Sequence, residues 1–196
     1  MTRHSDPASP KAACGRDSVR IVPVWDPLVR AVHWLLAATI LVNGLLSDPE
    51  SDLHETLGYV ALGLLVLRLG WGLIGPRPAR LASFPPYPLR ALHHLRAVLT
   101  GDRTVHLTHN PLGALMVWNI WGSLGIIIAT GIMMGTRRFF GVDWVEEVHE
   151  AMFDWLLLSV VLHVGGVIFD SRRSGVPLVR AMIDGRKRIP ADAPIE

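Results

Sequence analysis

Four long apolar runs constrain this chain more than any other feature, because each is near the roughly 20 residues a helix needs to cross a hydrocarbon layer. They cover about 29–46 (VRAVHWLLAATILVNGLL), 54–74 (HETLGYVALGLLVLRLGWGLI), 111–134 (PLGALMVWNIWGSLGIIIATGIMM) and 148–169 (VHEAMFDWLLLSVVLHVGGVIF). Pro27, Pro49, Pro76, Pro111 and Pro177 fall at or beyond the ends of these runs, where proline does not break a helix. Half of the 196 residues are hydrophobic and only 18% are charged, a balance unsuited to an ordinary soluble domain. The expected fold is all-α, an integral membrane four-helix bundle. Residues 1–22 are expected as a flexible tail, 23–171 as the four-helix domain and 172–196 as a basic C-terminal tail.

Lysine and arginine set the expected direction of threading. Arg3, Lys11, Arg16, Arg20 and Arg30 precede or open the first run, and Arg77, Arg80, Arg90, Arg96 and Arg103 fill the long connector. Arg172, Arg173, Arg180, Arg186, Lys187 and Arg188 follow the last run. The loop SDPESDLHE has four carboxylates and no Lys or Arg, and the loop GTRRFFGVDWVEE has only Arg137 and Arg138. Both termini are therefore expected in the cytoplasm. Within the connector, PLRALHHLRAVLTG spaces Leu89, Leu92, Leu95 and Leu99 helically between basic residues. It reads as an amphipathic helix on the inner leaflet or a surface that docks a partner. The single cysteine, Cys14, permits no intrachain disulfide or thiolate cluster, and no CxxCH motif for covalent haem attachment occurs. The stretch KAACG around it lacks the apolar segment that a signal peptide needs in front.

This threading gives each intramembrane histidine a depth. His33 lies just inside the inner face and His54 near the outer one; His149 opens the last run and His163 ends it near the inner face. His149 and His163 are fourteen residues apart, so they share one helical stripe about 21 Å long. Two pairs at matched depths result, His33 with His163 and His54 with His149. A lone histidine near an interface is best read as a hydrogen-bonded polar residue. Four in paired depths point to function, because ionisable groups inside a membrane are costly. Imidazole pairs facing across a bundle are the axial ligands of a low-spin haem. Zinc, the chief competitor, prefers four ligands converging on one point.

Gly58, Gly63, Gly70, Gly165 and Gly166 open space for a flat macrocycle or serve ordinary helix packing. Arg68 follows His54 by fourteen residues, on nearly the same face but at the inner depth. It is expected to pair with a haem propionate or to snorkel to the inner headgroups. His109 opens the third run as an extra ligand, a quinone contact or a propionate donor, and is placed outside the iron ligands. His4, His93, His94 and His106 are expected to face solvent or headgroups.

The stretches VWDPLVRAVHWLL (24–36), LHETLGYVALGLLVLRLGWGLIGPR (53–77), HNPLGALMV (109–117) and VHEAMFDWLLLSVVLHVGG (148–166) together resemble the bacterial cytochrome b561 family. That group includes hydrogenase-type cytochrome b subunits. The resemblance spans nearly the whole chain after the N-terminal tail. It implies two b-type haems in a four-helix bundle, ligated by one histidine each from runs one and two and two from run four. Residue by residue these are His33, His54, His149 and His163. Electron transfer across the inner membrane is then expected, between the quinone pool and a periplasmic c-type cytochrome or dehydrogenase subunit. Ubiquinone is a candidate second cofactor, touching His109, Asn110 and Arg30 on the inner side or Arg137, Arg138, Trp144 and Glu150 on the outer side. The partners are redox proteins, quinone and membrane lipid, not nucleic acid. Two rivals stand beside this expectation: a stand-alone superoxide:ubiquinone oxidoreductase, and a histidine-lined metal or proton transporter without haem.

Overall fold

A computed structural model of the chain describes residues 19–101, 104–191 and 193–195. The tail through residue 18, with Cys14, and Arg103 of the connector lie outside the described residues. Among the described residues, four helices are long and apolar enough to cross a membrane: α1 (Pro27–Leu45), α2 (Asp52–Ile74), α4 (Pro111–Met134) and α5 (Asp143–Ser174). Between α2 and α4 run two short 3₁₀ turns (Arg77–Ala79 and Leu81–Ser83) and helix α3 (Pro88–Leu99). Helix α6 (Leu178–Asp184) follows α5, and strand β1 (Val19–Pro23) pairs antiparallel with β2 (Arg186–Pro190).

Local chemistry fixes the helix starts. Asp26 caps α1 by accepting the Val29 N–H at 3.0 Å, Ser51 caps α2 by accepting that of His54 at 3.2 Å, and Asn110 caps α4 by accepting that of Gly113 at 2.7 Å. Proline at the first helical position of α1 and α4 loses no intrahelical bond. Helix α5 starts five residues earlier than the apolar pattern indicates, at Asp143. Asp143 and Glu146 in its first turn and Arg172 and Arg173 in its last complement the helix dipole. His149 therefore sits more than a turn inside α5 instead of at its tip.

The helices pack in the order α1, α2, α4, α5 along the bundle, around Leu36, Ile40, Ala61, Leu65, Leu124 and Leu156. Large apolar side chains also cover the outside, among them Leu35, Val66, Leu73, Leu158, Val161 and Phe169. Apolar surfaces facing both inward and outward suit a lipid environment. A polar rivet at mid-height joins α4 to α5: Asn119 Nδ2 donates to Ser159 Oγ at 2.8 Å and Trp155 Nε1 donates to Asn119 Oδ1 at 3.0 Å. Helix α3 leans on α4 through its buried residues Ala91 and His94 and leaves Leu89, Leu92, Leu95 and Leu99 exposed. His94 is thus buried and stacked edge-on against His106 at 4.9 Å, not facing outward as its sequence context indicates. The β1–β2 pair likewise replaces the ends of both expected tails, joining Val19 to Pro190 through Pro23 to Arg186.

Candidate functional site

The bundle has a terminal end, bearing the β1–β2 pair, and a far end, formed by the α1–α2 and α4–α5 loops. Near the terminal end, His33 of α1 faces His163 of α5 with ring centroids 6.4 Å apart and planes at 56°. Near the far end, His54 of α2 faces His149 of α5 with centroids 6.2 Å apart and planes at 56°. The Ser51 cap places His54 in the first turn of α2, which brings it level with a residue inside α5.

These separations have a simple chemical meaning. A metal–imidazole bond of about 2 Å, plus about 1.1 Å from that nitrogen to its ring centre, gives about 6.2 Å between two rings sharing one metal. Both pairs match that value, so the residues present fit a bis-imidazole haem. Among the described residues, nothing beyond its own helix turn lies within 4 Å of a Cβ built at Gly58 or Gly166, one turn from His54 and His163, so α2 and α5 have open flanks there. Gly63, Gly70 and Gly165 are equally open. Among the described residues, no three His, Cys, Asp or Glu side chains gather as a metal site would require.

The ring nitrogens differ between the levels. His149 Nδ1 lies 3.0 Å from Thr130 Oγ1, and His54 Nδ1 lies 3.5 Å from Ser47 Oγ. His33 Nδ1 is buried with no hydrogen-bond partner among the described residues. Sequence reasoning missed both hydroxyls. Depth alone puts Thr130, near the far end of the third run, level with His149, but nothing in the sequence tells such a hydroxyl from one that only bonds its own helix.

At the terminal end, His109 is wedged between Trp25 and Phe84, with ring centroids at 4.9 and 4.5 Å, and its buried Nδ1 has no partner among the described residues. Burial, aided by the charges of Lys187 and Arg68, pushes its pKa down to about 3, so the ring is neutral. His109 belongs to neither facing imidazole pair, though it stands close enough to His163 for their charges to interact. Arg68 is 5% exposed. Its Nη1 donates to the Ala79 carbonyl at 3.2 Å, and its guanidinium lies 4.9 Å from the centre of the Trp121 ring. Lys187 of β2, also missed in the sequence, is buried and donates to the carbonyls of His106 and Thr108, both at 2.9 Å.

A groove of about 700 Å³ opens beside His109, lined by Phe84, Tyr87, Arg90, His94 and His106 among others. Of the other terminal-end candidates, Asn110 is engaged in its cap and in a 3.3 Å bond to Asp170, and Arg30 donates to the Ile183 carbonyl. At the far end Arg137, Arg138, Trp144 and Glu150 are exposed, with Arg138 over the Phe139 ring at 5.4 Å.

A family model described as prokaryotic cytochrome b561 matches residues 24–185, which include α1 to α6 and all four facing histidines. No curated protein and no solved structure matches the chain. Membrane-length helices, imidazoles paired at the spacing of a shared metal, and a family match over most of the sequence lead to one conclusion: the chain belongs to the prokaryotic cytochrome b561 family, membrane b-type cytochromes that carry electrons on haem b.

Proposed function

We propose that this cytochrome holds two haems b, one between His33 and His163 and one between His54 and His149, and carries electrons across the bacterial inner membrane. The facing of two imidazole pairs about two heptads apart along α5 carries this reading. Haem b, when bound, supplies a one-electron ferric–ferrous couple. The chain supplies the axial nitrogens, a dry apolar bundle around them and the rivet of Asn119, Trp155 and Ser159 that keeps α4 and α5 in register between the two levels. Arg68 supports a propionate at the terminal-end site, since among the described residues it makes no ion pair and only the longer-range charge of Asp26 offsets its own.

Both termini lie in the cytoplasm in this reading, supported by the arginines at the terminal end and the carboxylates at the far end. A quinone, ubiquinone in the first instance, occupies the groove beside His109. Its volume and aromatic lining suit a small planar ligand. The far end receives a periplasmic c-type cytochrome or dehydrogenase subunit. Asp48, Glu50, Asp52 and Glu55 there suit a cationic protein surface. Exposed Arg137 and Arg138 favour the second reading, a superoxide:ubiquinone oxidoreductase, because they attract a small anion.

Haem content and spectra of the purified protein test the first claim. Two haems per chain are expected, with His33→Ala and His54→Ala each losing or perturbing one and sparing the other. A colourless protein, as a histidine-lined metal or proton transporter would be, defeats the proposal, and so does a single haem lost in both variants.

A further inference from the structure

The hydroxyl of Thr130 has one hydrogen and three polar neighbours. Its Oγ1 lies 2.9 Å from the Ile126 carbonyl, 3.0 Å from the Ile127 carbonyl and 3.0 Å from His149 Nδ1. Carbonyl oxygens only accept, so the hydroxyl hydrogen goes to them. The contact with His149 then runs the other way, with the ring Nδ1–H donating to a lone pair of Oγ1, while the Ile127 backbone carbonyl beside it also hydrogen-bonds the ring. That leaves Nε2 without a hydrogen and its lone pair free for a metal. Thr130 is 5% exposed, so water is a poor substitute. The next residue tightens the placement: a Cβ on Gly131 would stand 3.3 Å from His149 Cε1, so the ring lies close against the backbone of α4.

We infer that Thr130, seated on α4 and making no contact with iron itself, is the positioning residue that sets the tautomer and orientation of His149. The inference rests on the haem assignment for the His54–His149 pair. At His54 a weaker version exists: Ser47 Oγ donates to the Asn43 carbonyl and lies 3.5 Å from Nδ1. His33 Nδ1 has no such acceptor among the described residues. The two levels are therefore not equivalent. An acceptor on Nδ1–H makes Nε2 the stronger donor, which stabilises ferric over ferrous iron and lowers the midpoint potential at the far-end site.

Thr130→Val keeps the shape of the side chain and removes the hydroxyl acceptor, leaving the ring only the Ile127 carbonyl, whereas Thr130→Ser keeps the hydroxyl. Optical redox titration of the purified cytochrome, with electron paramagnetic resonance of its ferric form, reads both sites at once. In Thr130→Val one midpoint should move to more positive potential, with part of that low-spin signal converted to high spin. The other midpoint should stay in place, reporting an intact bundle, and Thr130→Ser should match the wild type. Unchanged midpoints in Thr130→Val, an equal movement of both, or the same shift in Thr130→Ser would each overturn the inference. A wild-type protein without two haems overturns the haem assignment beneath it, and that result is seen before any variant is made.

Discussion

At Arg68 a full positive charge lies 5% exposed on a helix otherwise built mainly from Leu, Val and Gly, with one hydrogen bond to a backbone carbonyl and an aromatic face beneath it. A cation beside a haem favours the reduced, less positive iron. Arg68→Leu should therefore lower the midpoint of the His33–His163 site, by on the order of 1–2 kcal/mol at intermediate range and effective dielectric. For a one-electron couple that is on the order of 50 mV. Arg68→Lys should keep most of the wild-type value. A redox titration in which Arg68→Leu leaves both midpoints in place would reduce Arg68 to a brace for the turn at Ala79. The four histidines were legible in the sequence because an imidazole in an apolar run is expensive and its depth can be counted. Thr130 and Ser47 were not, because a hydroxyl in such a run bonds its own helix equally well and shows no sign of a second partner. Their meaning exists only where another helix brings a ring nitrogen within reach.

The transmembrane helices announce themselves through length and hydropathy, and the caps at Asp26, Ser51 and Asn110 sharpen their starts. The β1–β2 pair leaves no comparable trace. Five residues, VRIVP, meet RKRIP from the other end of the chain, and no local pattern encodes a pairing at that separation. Gly185 closes this element from α6: its φ is +80°, and a Cβ there would stand 2.7 Å from the Trp25 carbonyl oxygen. Lys187, one residue into β2, ties the strand to the connector through its two carbonyl bonds. Burial pushes its pKa down from the ordinary lysine value to about 8, with Asp170 partly offsetting the shift. Between about pH 8 and 10.5 the unfolded chain holds this proton and the folded one releases it, so stability rises with pH across that window. The gain reaches at most about 3 kcal/mol. Thermal unfolding in detergent should thus show a midpoint that rises between pH 8 and pH 10 relative to Lys187→Met. Parallel pH profiles for the two proteins would rule out a buried, proton-releasing Lys187.

Taken whole, the molecule is electrically polar along its length. Exposed Arg90, Arg96, Arg180 and Arg186 lie at the terminal end, and Asp48, Glu50, Asp52 and Glu146 at the far end, with apolar helix surface between. Basic residues resist translocation, which supports the proposed insertion with the terminal end in the cytoplasm, and the direction decides what each imidazole pair can meet. With the terminal end in the cytoplasm, the His54–His149 site faces the periplasm and the acidic loop meets soluble redox proteins. Inverted, the same loop would face the cytoplasm, and a periplasmic partner would find arginines and the groove beside His109. Two single-cysteine proteins separate these cases, each built on Cys14→Ser: Glu50→Cys in the α1–α2 loop and Arg180→Cys on α6, both at exposed positions. A membrane-impermeant maleimide should label Glu50→Cys in right-side-out vesicles and leave Arg180→Cys unmodified, and inverted vesicles should reverse the pattern. Labelling of Arg180→Cys from the periplasmic side would place the quinone groove there, and the direction of transfer between partner and quinone would have to be drawn the other way.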